Sequence, residues 1–571
     1  MLLDDARDGG RATLLSEPNQ IIEARTPGEV APALERLRGV GEVAGFIAYE
    51  AGLALEPKLA PLARDADPDG SPLLWFGAFE RVEEVAAAAW LPDPAGAAAG
   101  AARPRIERDA YETALATLHE HILAGDIYQA NYTFPADVPV AGHPLAIYAA
   151  LRTRARMGHG ALVFTGEHWI LSFSPELFFT LEGQRVTTRP MKGTATRGAT
   201  AEKDAANIAE LAADPKQRSE NLMIVDLLRN DLSRVSKAGS VKVPDLFTVE
   251  TYPTVHQLVS TVTGDVQDGL GAVDVIRAIF PCGSITGAPK IRAMEIIAEQ
   301  EIAPRGIYCG SIGRIAANGD AAFNVAIRSM VMREGDQTAR LGLGSGIVAD
   351  SETADEWREC AAKGLFTATR RRFDLIETMR HDPHDGVVEL ERHLDRLKAS
   401  ADALGFRFDR HDARNELQAA TFGFGPGKVR LLLSRGGAIA VEVTPLPEAP
   451  AEPVAVAVVP LPVSPHDFRL RYKTSDRGFY DVARKDAGAF EVLFTDPEGF
   501  LTEGSYTSLF VERDGRLLTP PLSRGLLPGI LREILLAERR AVEAELRVED
   551  LAGGFLIGNA LRGLMRARLE Q

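Results

Sequence analysis

Cysteine is nearly absent: three residues (Cys282, Cys309 and Cys360) in 571. An odd number of thiols without metal-ligand spacing excludes a disulfide framework and a cysteine-built zinc module, and is the expectation for a reduced, cytoplasmic setting. Long hydrophobic runs are missing too. None approaches about 18 apolar residues, so no membrane-spanning helix and no membrane partner is expected. The opening Met1-Leu2-Leu3-Asp4-Asp5-Ala6-Arg7-Asp8 is acidic and lacks the apolar core of a secretory signal. Positive charge is in the minority: 64 Lys and Arg against 80 Asp and Glu give a formal net charge of −16. That field repels nucleic acid, and no basic stretch interleaved with aromatics overrides it. A small anionic substrate would need local Arg and Lys residues to offset it.

What is present describes a globular protein, 45% hydrophobic and 25% charged. At roughly 150 residues per domain the length implies three or four folding units. Residues 85–105 are dominated by Ala, Gly and Pro and read as a loosely ordered connector. From Arg108 the pattern is helical, with Tyr111, Leu115, Leu118 and Ile122 in step and a stop at Gly125. Strands and helices mix from there to about residue 370. Arg370-Arg371-Arg372 then leads without a linker into the strand-like Phe373-Asp374-Leu375-Ile376-Glu377-Thr378. A Pro-rich stretch around Val454–Val459 reads as the crossing between two lobes. The expected division is 1–105 as an N-terminal segment and connector, 106–370 as a catalytic domain, and 371–571 as a second domain with lobes of about 371–460 and 461–571. The fold class is α+β.

Five segments of the first half carry possible chemistry. In Thr187-Thr188-Arg189-Pro190-Met191-Lys192-Gly193-Thr194 a strand breaks at Pro and Gly, so the Lys192 amine can reach a cleft. Desolvated or set beside another cation, such an amine can drop by about 3–5 pKa units and become a nucleophile; taken alone, a loop lysine in water is the commoner case. Ser219-Glu220 opens a run, Asn221 to Asp231, apolar nearly all round, which predicts a buried helix whose polar ends must find partners. On a helix after Asp350-Ser351, either of which can cap it, Glu352, Glu356, Glu359 and Lys363 form one stripe. That stripe alone reads as a solvated face with a Glu359–Lys363 pair. With a buried Glu220 it reads as a Mg²⁺ site, since Mg²⁺ takes one or two carboxylates plus substrate oxygens and water. Gly283-Ser284-Ile285-Thr286-Gly287-Ala288-Pro289-Lys290 lacks the Gly-Lys-Ser/Thr of a nucleotide loop, but its approach to a helix N-terminus suits a carboxylate. Gly342-Leu343-Gly344-Ser345-Gly346 lets backbone approach a ligand closely.

With Gly125-Asp126-Ile127-Tyr128-Gln129, Ser174-Pro175-Glu176-Leu177-Phe178 and Phe323-Asn324-Val325-Ala326-Ile327-Arg328, these segments make residues of roughly 110–370 resemble the chorismate-utilising family. Its members are α/β sandwiches of large antiparallel sheets with helices. A lysine in Pro-x-Lys-Gly-Thr is the pattern of its aminodeoxychorismate synthases, where anthranilate synthases have alanine. The resemblance implies that Glu220, Glu356 and Glu359 bind Mg²⁺. It implies that Arg328, Lys363, Thr286, Gly344 and Gly346 hold substrate carboxylates, that Lys192 attacks the ring at C2, and that Glu176 is the general acid. The family's histidine before Leu258-Val259-Ser260 is here Gln257, preceded by His256. No Gly-x-Cys-x-Gly glutaminase elbow occurs, so a separate glutamine amidotransferase is the expected ammonia source.

Residues 373–571 resemble two-lobed fold-type IV pyridoxal-phosphate enzymes, and among them 4-amino-4-deoxychorismate lyase. The matching motifs are Leu390-Glu391-Arg392-His393-Leu394-Asp395-Arg396-Leu397, Arg471-Tyr472-Lys473-Thr474, Leu501-Thr502-Glu503-Gly504-Ser505, Leu526-Leu527-Pro528-Gly529-Ile530-Leu531 and Ile557-Gly558-Asn559-Ala560. The resemblance implies that Lys473 bonds to the cofactor, and that Glu503 faces its pyridine nitrogen. Arg396, Ile530, Leu531, Asn559 and Ala560 would hold the phosphate, and Thr378 lies near substrate. The family's first strand is missing, and Leu531 replaces a common Thr. The function implied is a two-step route from chorismate to 4-aminobenzoate, for folate. The alternatives are an anthranilate-type synthase fused to a branched-chain or D-amino-acid aminotransferase, and a fusion with one inactive half.

Overall fold

The structure is a computed structural model and describes residues 1–7, 9–66, 70–252, 255–369 and 372–570. It divides into two compact units: 1–92 with 101–138 and 151–367, and 93–100 with 139–150 and 368–571. Arg370 and Arg371, where the sequence placed its domain boundary, lie outside the described residues. Among the described residues no helix is long and apolar enough to cross a membrane.

The first unit is built on a large sheet of antiparallel pairings. Ala12–Ala24 pairs with Leu74–Val85, His168–Ser174 with Ser329–Arg333, and Leu177–Glu182 with Ala321–Asn324. These strands are rich in β-branched and aromatic residues, which suit a pleated, half-buried surface. The helix Arg108–Leu123 forms as its periodicity predicts, with Tyr111, Leu115 and Leu118 buried and Gly125 at φ +79° beyond its end. The helix Pro215–Ser233 starts at Asp214, whose carboxylate accepts from the amides of Lys216 and Gln217. It is one-sided rather than buried all round. Asn221, Ile224, Val225, Leu228, Asp231 and Leu232 face in, whereas Leu222 is exposed. The apolar residues outnumber what one face can bury, so the run looks more hydrophobic than its setting. Inside, its Ile224, Val225, Leu228 and Leu232 join Phe178, Phe179, Ile276, Ile279 and Phe323 in one core.

In the second unit, Leu375–Asp382, Gly427–Leu433 and Ile439–Pro445 form an antiparallel sheet with Gly386–Val387. Residues of Gly427–Leu433 alternate between buried and half-buried, as one covered face requires. The helix Leu390–Leu404 lays Leu394, Leu397, Ala401 and Leu404 into that core and ends at Gly405, φ +72°. Val454–Pro460 begins an eight-stranded sheet, running parallel to Glu491–Thr495 and Gly563–Leu569. The stretch expected as a loose connector is partly built in. Ala97, Ala98 and Ala99 are buried, and Ala98–Ala99 pairs with Val140 and Ala141. Small side chains there allow close packing rather than mobility.

Candidate functional site

Lys192 sits on a β-bulge. The strand Met191–Thr196 pairs with Val255–Asp265 such that Met191 faces Val259 but Thr194 faces Gln257, leaving one extra residue between them. Gly193 absorbs it at φ +89°, where a Cβ would stand 2.9 Å from Gln217 Oε1. A bulge re-aims a side chain. Here Lys192 Nζ comes within 3.3 Å of where a Cβ on Gly346 would be, and Gln129 Nε2 lies 2.8 Å from the same point. Any larger residue at 346 would displace both. Gln129 has its amide nitrogen and oxygen buried without a hydrogen-bond partner among the described residues. Buried amides are ordinarily paired, so Gln129 offers a polar contact to whatever lies against Lys192.

Glu176 follows the strand His168–Ser174 and is buried. Its backbone is pinned: its amide donates to Ser174 Oγ at 3.2 Å, and its carbonyl accepts from Val325 N at 3.0 Å. Its Oε1 accepts from Ser284 Oγ at 2.7 Å. Burial pushes the carboxyl up to about 7, against the opposing pull of Ser284, Lys192 and Lys363. The glycine-rich loop that carries Ser284 is tied down by Lys290, whose Nζ reaches Asp231 Oδ2 at 2.5 Å and the carbonyls of Ile279 and Pro281 at 2.9 and 3.1 Å. Thus Asp231 is a buried anchor, while Arg229 makes an exposed pair with Asp226.

The acidic stripe is arranged differently from expectation. Glu352 is the N-cap residue of Thr353–Gly364; Asp350 instead pairs with Lys216 at 2.8 Å, and Ser351 Oγ donates to Glu356 Oε1 at 2.7 Å. Lys363 donates to Gly344 O at 2.8 Å and pairs with Glu359 at 2.7 Å. The glycine at 344 is needed, since a Cβ would stand 2.4 Å from Tyr132 O. Burial raises the Glu220 carboxyl, Lys192 and Lys216 lower it, and the charges of Asp350 and Glu359 raise it again. Burial works against ionised Glu359 as well, but Lys363 and then Lys192 hold its carboxyl low. Among the described residues no three His, Cys, Asp or Glu side chains form a ready-made metal cluster. The donors fit a cation that takes two carboxylates, Glu220 and Glu359, and fills its shell from substrate and water. That is the habit of Mg²⁺.

Two expected substrate contacts are not drawn in. The Thr286 hydroxyl is fully buried and donates back to the carbonyls of Cys282 and Gly283. Arg328 takes φ +51°, and among the described residues its guanidinium has only Met157 Sδ, at 3.9 Å, as a hydrogen-bonding neighbour. His256 is fully buried between Asp204 and Thr251, at 2.9 Å from each, while Gln257 is half-buried.

In the second unit a cavity of about 490 Å³ is lined by Thr378, Arg396, Lys473, Glu503, Ile530, Asn559 and Ala560 among others. Burial pushes the Lys473 amine down to about 7, helped by Arg396 and Arg477 and opposed by Glu377 and Glu503. Burial pushes the Glu503 carboxyl up to about 7, against donors from the Tyr480 hydroxyl and the Leu527 amide. The helix Ile530–Ala537 starts at Gly529, and Gly529 and Ile530 reach the cavity wall; Leu531 turns its side chain into a neighbouring apolar cluster. Asn559, also on the cavity wall, accepts from the amides of Leu561 and Arg562, both at 3.0 Å. Arg396 is less free than expected. Its Nε and Nη2 fork onto Glu377 at 2.9 and 2.6 Å, and its Nη1 donates to Pro528 O at 2.9 Å, leaving two of five N–H donors. Against the cost of burial, Arg396 and His393 hold Glu377 down to about 2. An amine, a carboxyl and a helix N-terminus on one cavity fit pyridoxal phosphate.

Sequence reasoning passed over Gln129, Ser284, Glu377 and Tyr480. Gln129 had a signal, as a polar residue opening an almost wholly buried strand, Gln129–Ala141. Ser284 and Tyr480 had none, because each acts through a carboxylate more than twenty positions away.

Residues 5–368 match the chorismate binding enzyme family, and residues 374–569 match amino-transferase class IV. The chain is 40% identical over 279 residues to aminodeoxychorismate synthase component 1 of Bacillus subtilis, covering 49% of this chain and 58% of that protein. It is 40% identical over 261 residues to anthranilate synthase component 1 of Methanothermobacter marburgensis, covering 46% and 56%. It therefore spans little more than half the length of either curated relative. Anthranilate synthase component I from Streptococcus pneumoniae superposes with a TM-score of 0.54 at 27% identity, over 62% of this chain and 92% of that one.

Proposed function

Since the chain belongs to the chorismate binding enzyme family and carries a class IV amino-transferase domain behind it, we propose that it makes 4-aminobenzoate from chorismate, in the cytoplasm, for folate. The first unit aminates chorismate to 4-amino-4-deoxychorismate, with ammonia from a glutamine amidotransferase partner. The second eliminates pyruvate. The observation that carries this reading is the bulge that aims Lys192 toward Gln129 and Gly346, within electrostatic reach of a buried Glu176.

Lys192 Nζ bonds to ring C2 as the C4–oxygen bond breaks, and Glu176 gives its proton to the departing oxygen, which leaves as water. A carboxyl at about 7 still holds that proton near neutrality, and such acid catalysis is worth roughly 10²–10⁴ in rate. Ammonia then bonds to C4 and the C2–nitrogen bond breaks, returning the lysine. Glu220 and Glu359, with Glu356 beside them, would hold Mg²⁺, which would neutralise a substrate carboxylate. Gly344 and Gly346 let that substrate approach the backbone, and Lys363 and Arg328 supply positive charge; Thr286, its hydroxyl turned back onto Cys282 and Gly283, shapes the loop instead.

Pyridoxal phosphate, when bound, supplies an electron-withdrawing ring to the second reaction. Lys473, its amine near 7, would hold the cofactor and move a proton at Nζ. Glu503 would face the ring nitrogen, the amides of Ile530 and Leu531 with Asn559, Ala560 and Arg396 would hold the phosphate, and Thr378 would orient substrate. The test is the purified chain with chorismate, ammonia and Mg²⁺, with and without pyridoxal phosphate. The expected result is 4-aminobenzoate only with both cofactors, and no amination by Lys192→Ala. Anthranilate as product, or transamination without 4-aminobenzoate, would overturn the reading.

A further inference from the structure

Glu503 is useful to a pyridine nitrogen only as a carboxylate, yet its surroundings favour the neutral acid. It is 6% exposed, on the strand Leu501–Gly504, and burial pushes it up to about 7. Two donors oppose this. The Leu527 amide reaches Oε2 at 3.1 Å, and the Tyr480 hydroxyl reaches Oε1. Tyr480 is itself held firmly. It is 4% exposed on the helix Gly478–Ala487, its ring lies 4.2 Å from that of Phe479 and 5.5 Å from that of Phe494, and Arg477 stacks 5.0 Å above it. A phenol fixed in this way has no other function visible in the cavity, and no other side-chain hydroxyl bonds to Glu503 among the described residues.

We infer that Tyr480 is a positioning residue that acts through Glu503: its hydroxyl fixes the plane of the carboxylate and keeps it ionised against a heteroaromatic ring nitrogen in the cavity. With Oε1 bonded to Tyr480 and Oε2 to Leu527, each oxygen keeps acceptor capacity for the cavity that Lys473 and Glu503 both line. The hydroxyl is a weak acid, so it gives the carboxylate a hydrogen bond without giving up its proton; burial beside Glu503 drives its own ionisation further out of reach. Without that bond the proton moves from the ring nitrogen to Glu503, and the pair becomes neutral. This inference rests on the reading that the cavity takes pyridoxal phosphate.

The test uses the full chain freed of cofactor and titrated with pyridoxal phosphate and with its 1-deaza analogue, in which a C–H replaces the ring nitrogen. The wild type is expected to prefer pyridoxal phosphate. Tyr480→Phe should weaken pyridoxal phosphate about tenfold and leave the analogue unchanged, the loss expected for one hydrogen bond to a charged group. Equal weakening of both ligands would make Tyr480 a mere prop for the cavity and overturn the inference, as would no change in either. Should the Phe variant fold poorly, a difluorotyrosine at 480 keeps the shape and donates more strongly. It should shift the pH midpoint of the bound cofactor's absorption, and an unmoved midpoint overturns the inference. A wild type that binds neither ligand removes the cofactor reading itself, a failure distinct from the others.

Discussion

Replacing Glu176 by Gln should make the protein more stable at alkaline pH while sharply slowing its chemistry. The side chain is 6% exposed, and burial raises its pKa from an ordinary 4.5 to about 7. The folded state therefore holds this proton more tightly than the unfolded chain does. As pH rises past 4.5 the unfolded chain loses the proton freely, whereas the folded chain resists until about 7. Stability falls across that window, and the full penalty persists above it. The displacement corresponds to about 3 kcal/mol, an upper figure because water and neighbouring amines relax around the charge. Gln has no such proton, and its amide oxygen still accepts from Ser284. Urea unfolding of wild type and Glu176→Gln at pH 5 and pH 8.5, followed by a probe in the first unit, measures the difference. The variant should match the wild type at pH 5 within about 0.5 kcal/mol and exceed it by 1–3 kcal/mol, an order-of-magnitude range, at pH 8.5. Amination should fall by about 10²-fold or more. Equal stability differences at the two pH values would show that Glu176 is not held in a desolvated site, and the acid role would lose its physical basis.

Two other perturbations follow. Lys290→Met leaves Asp231 buried without its 2.5 Å partner and frees the glycine-rich loop; it should cost about 3–5 kcal/mol in urea unfolding, and a loss under 1 kcal/mol would remove the anchor. Glu377 has the opposite sign from Glu176: Arg396 and His393 hold it down to about 2, so its contribution is complete above about 4.5 and fades as pH falls toward 2. Glu377→Gln should accordingly destabilise by about 3 kcal/mol at pH 7 and progressively less below pH 4.5, and a loss that does not shrink in acid would show that the pair is not ionic.

The sequence disclosed elements wherever one periodicity governed many residues. Arg108–Leu123 and Leu390–Leu404 could be read because each has a repeating apolar stripe and a terminal glycine. The helix carrying Glu220 was harder, since leucines on its outer face looked like core. Lys192, Glu176, Lys473 and Glu503 were legible as motif residues, but their settings were not. The bulge at Gly193 depends on the register of a strand some sixty positions further along, Val255–Asp265. The orientation of Glu176 depends on Ser284, and that of Glu503 on Tyr480, through hydrogen bonds that leave no pattern in local composition. Arg396 shows the limit most clearly. Its motif can be read in the sequence, but its commitment to Glu377 follows only from two side chains nineteen residues apart sharing one buried pocket.

The polypeptide changes unit five times, after Pro92, Gly100, Val138, Ala150 and Thr367. Ala98 and Ala141 are thereby threaded into the same apolar cluster as Phe373, Leu394, Leu431 and Phe468. A gene truncated to begin near codon 370 would encode every motif of the class IV amino-transferase half, yet its product would fold around a hole where those two short inserts belong. Undoing this fusion requires grafting, not scissors.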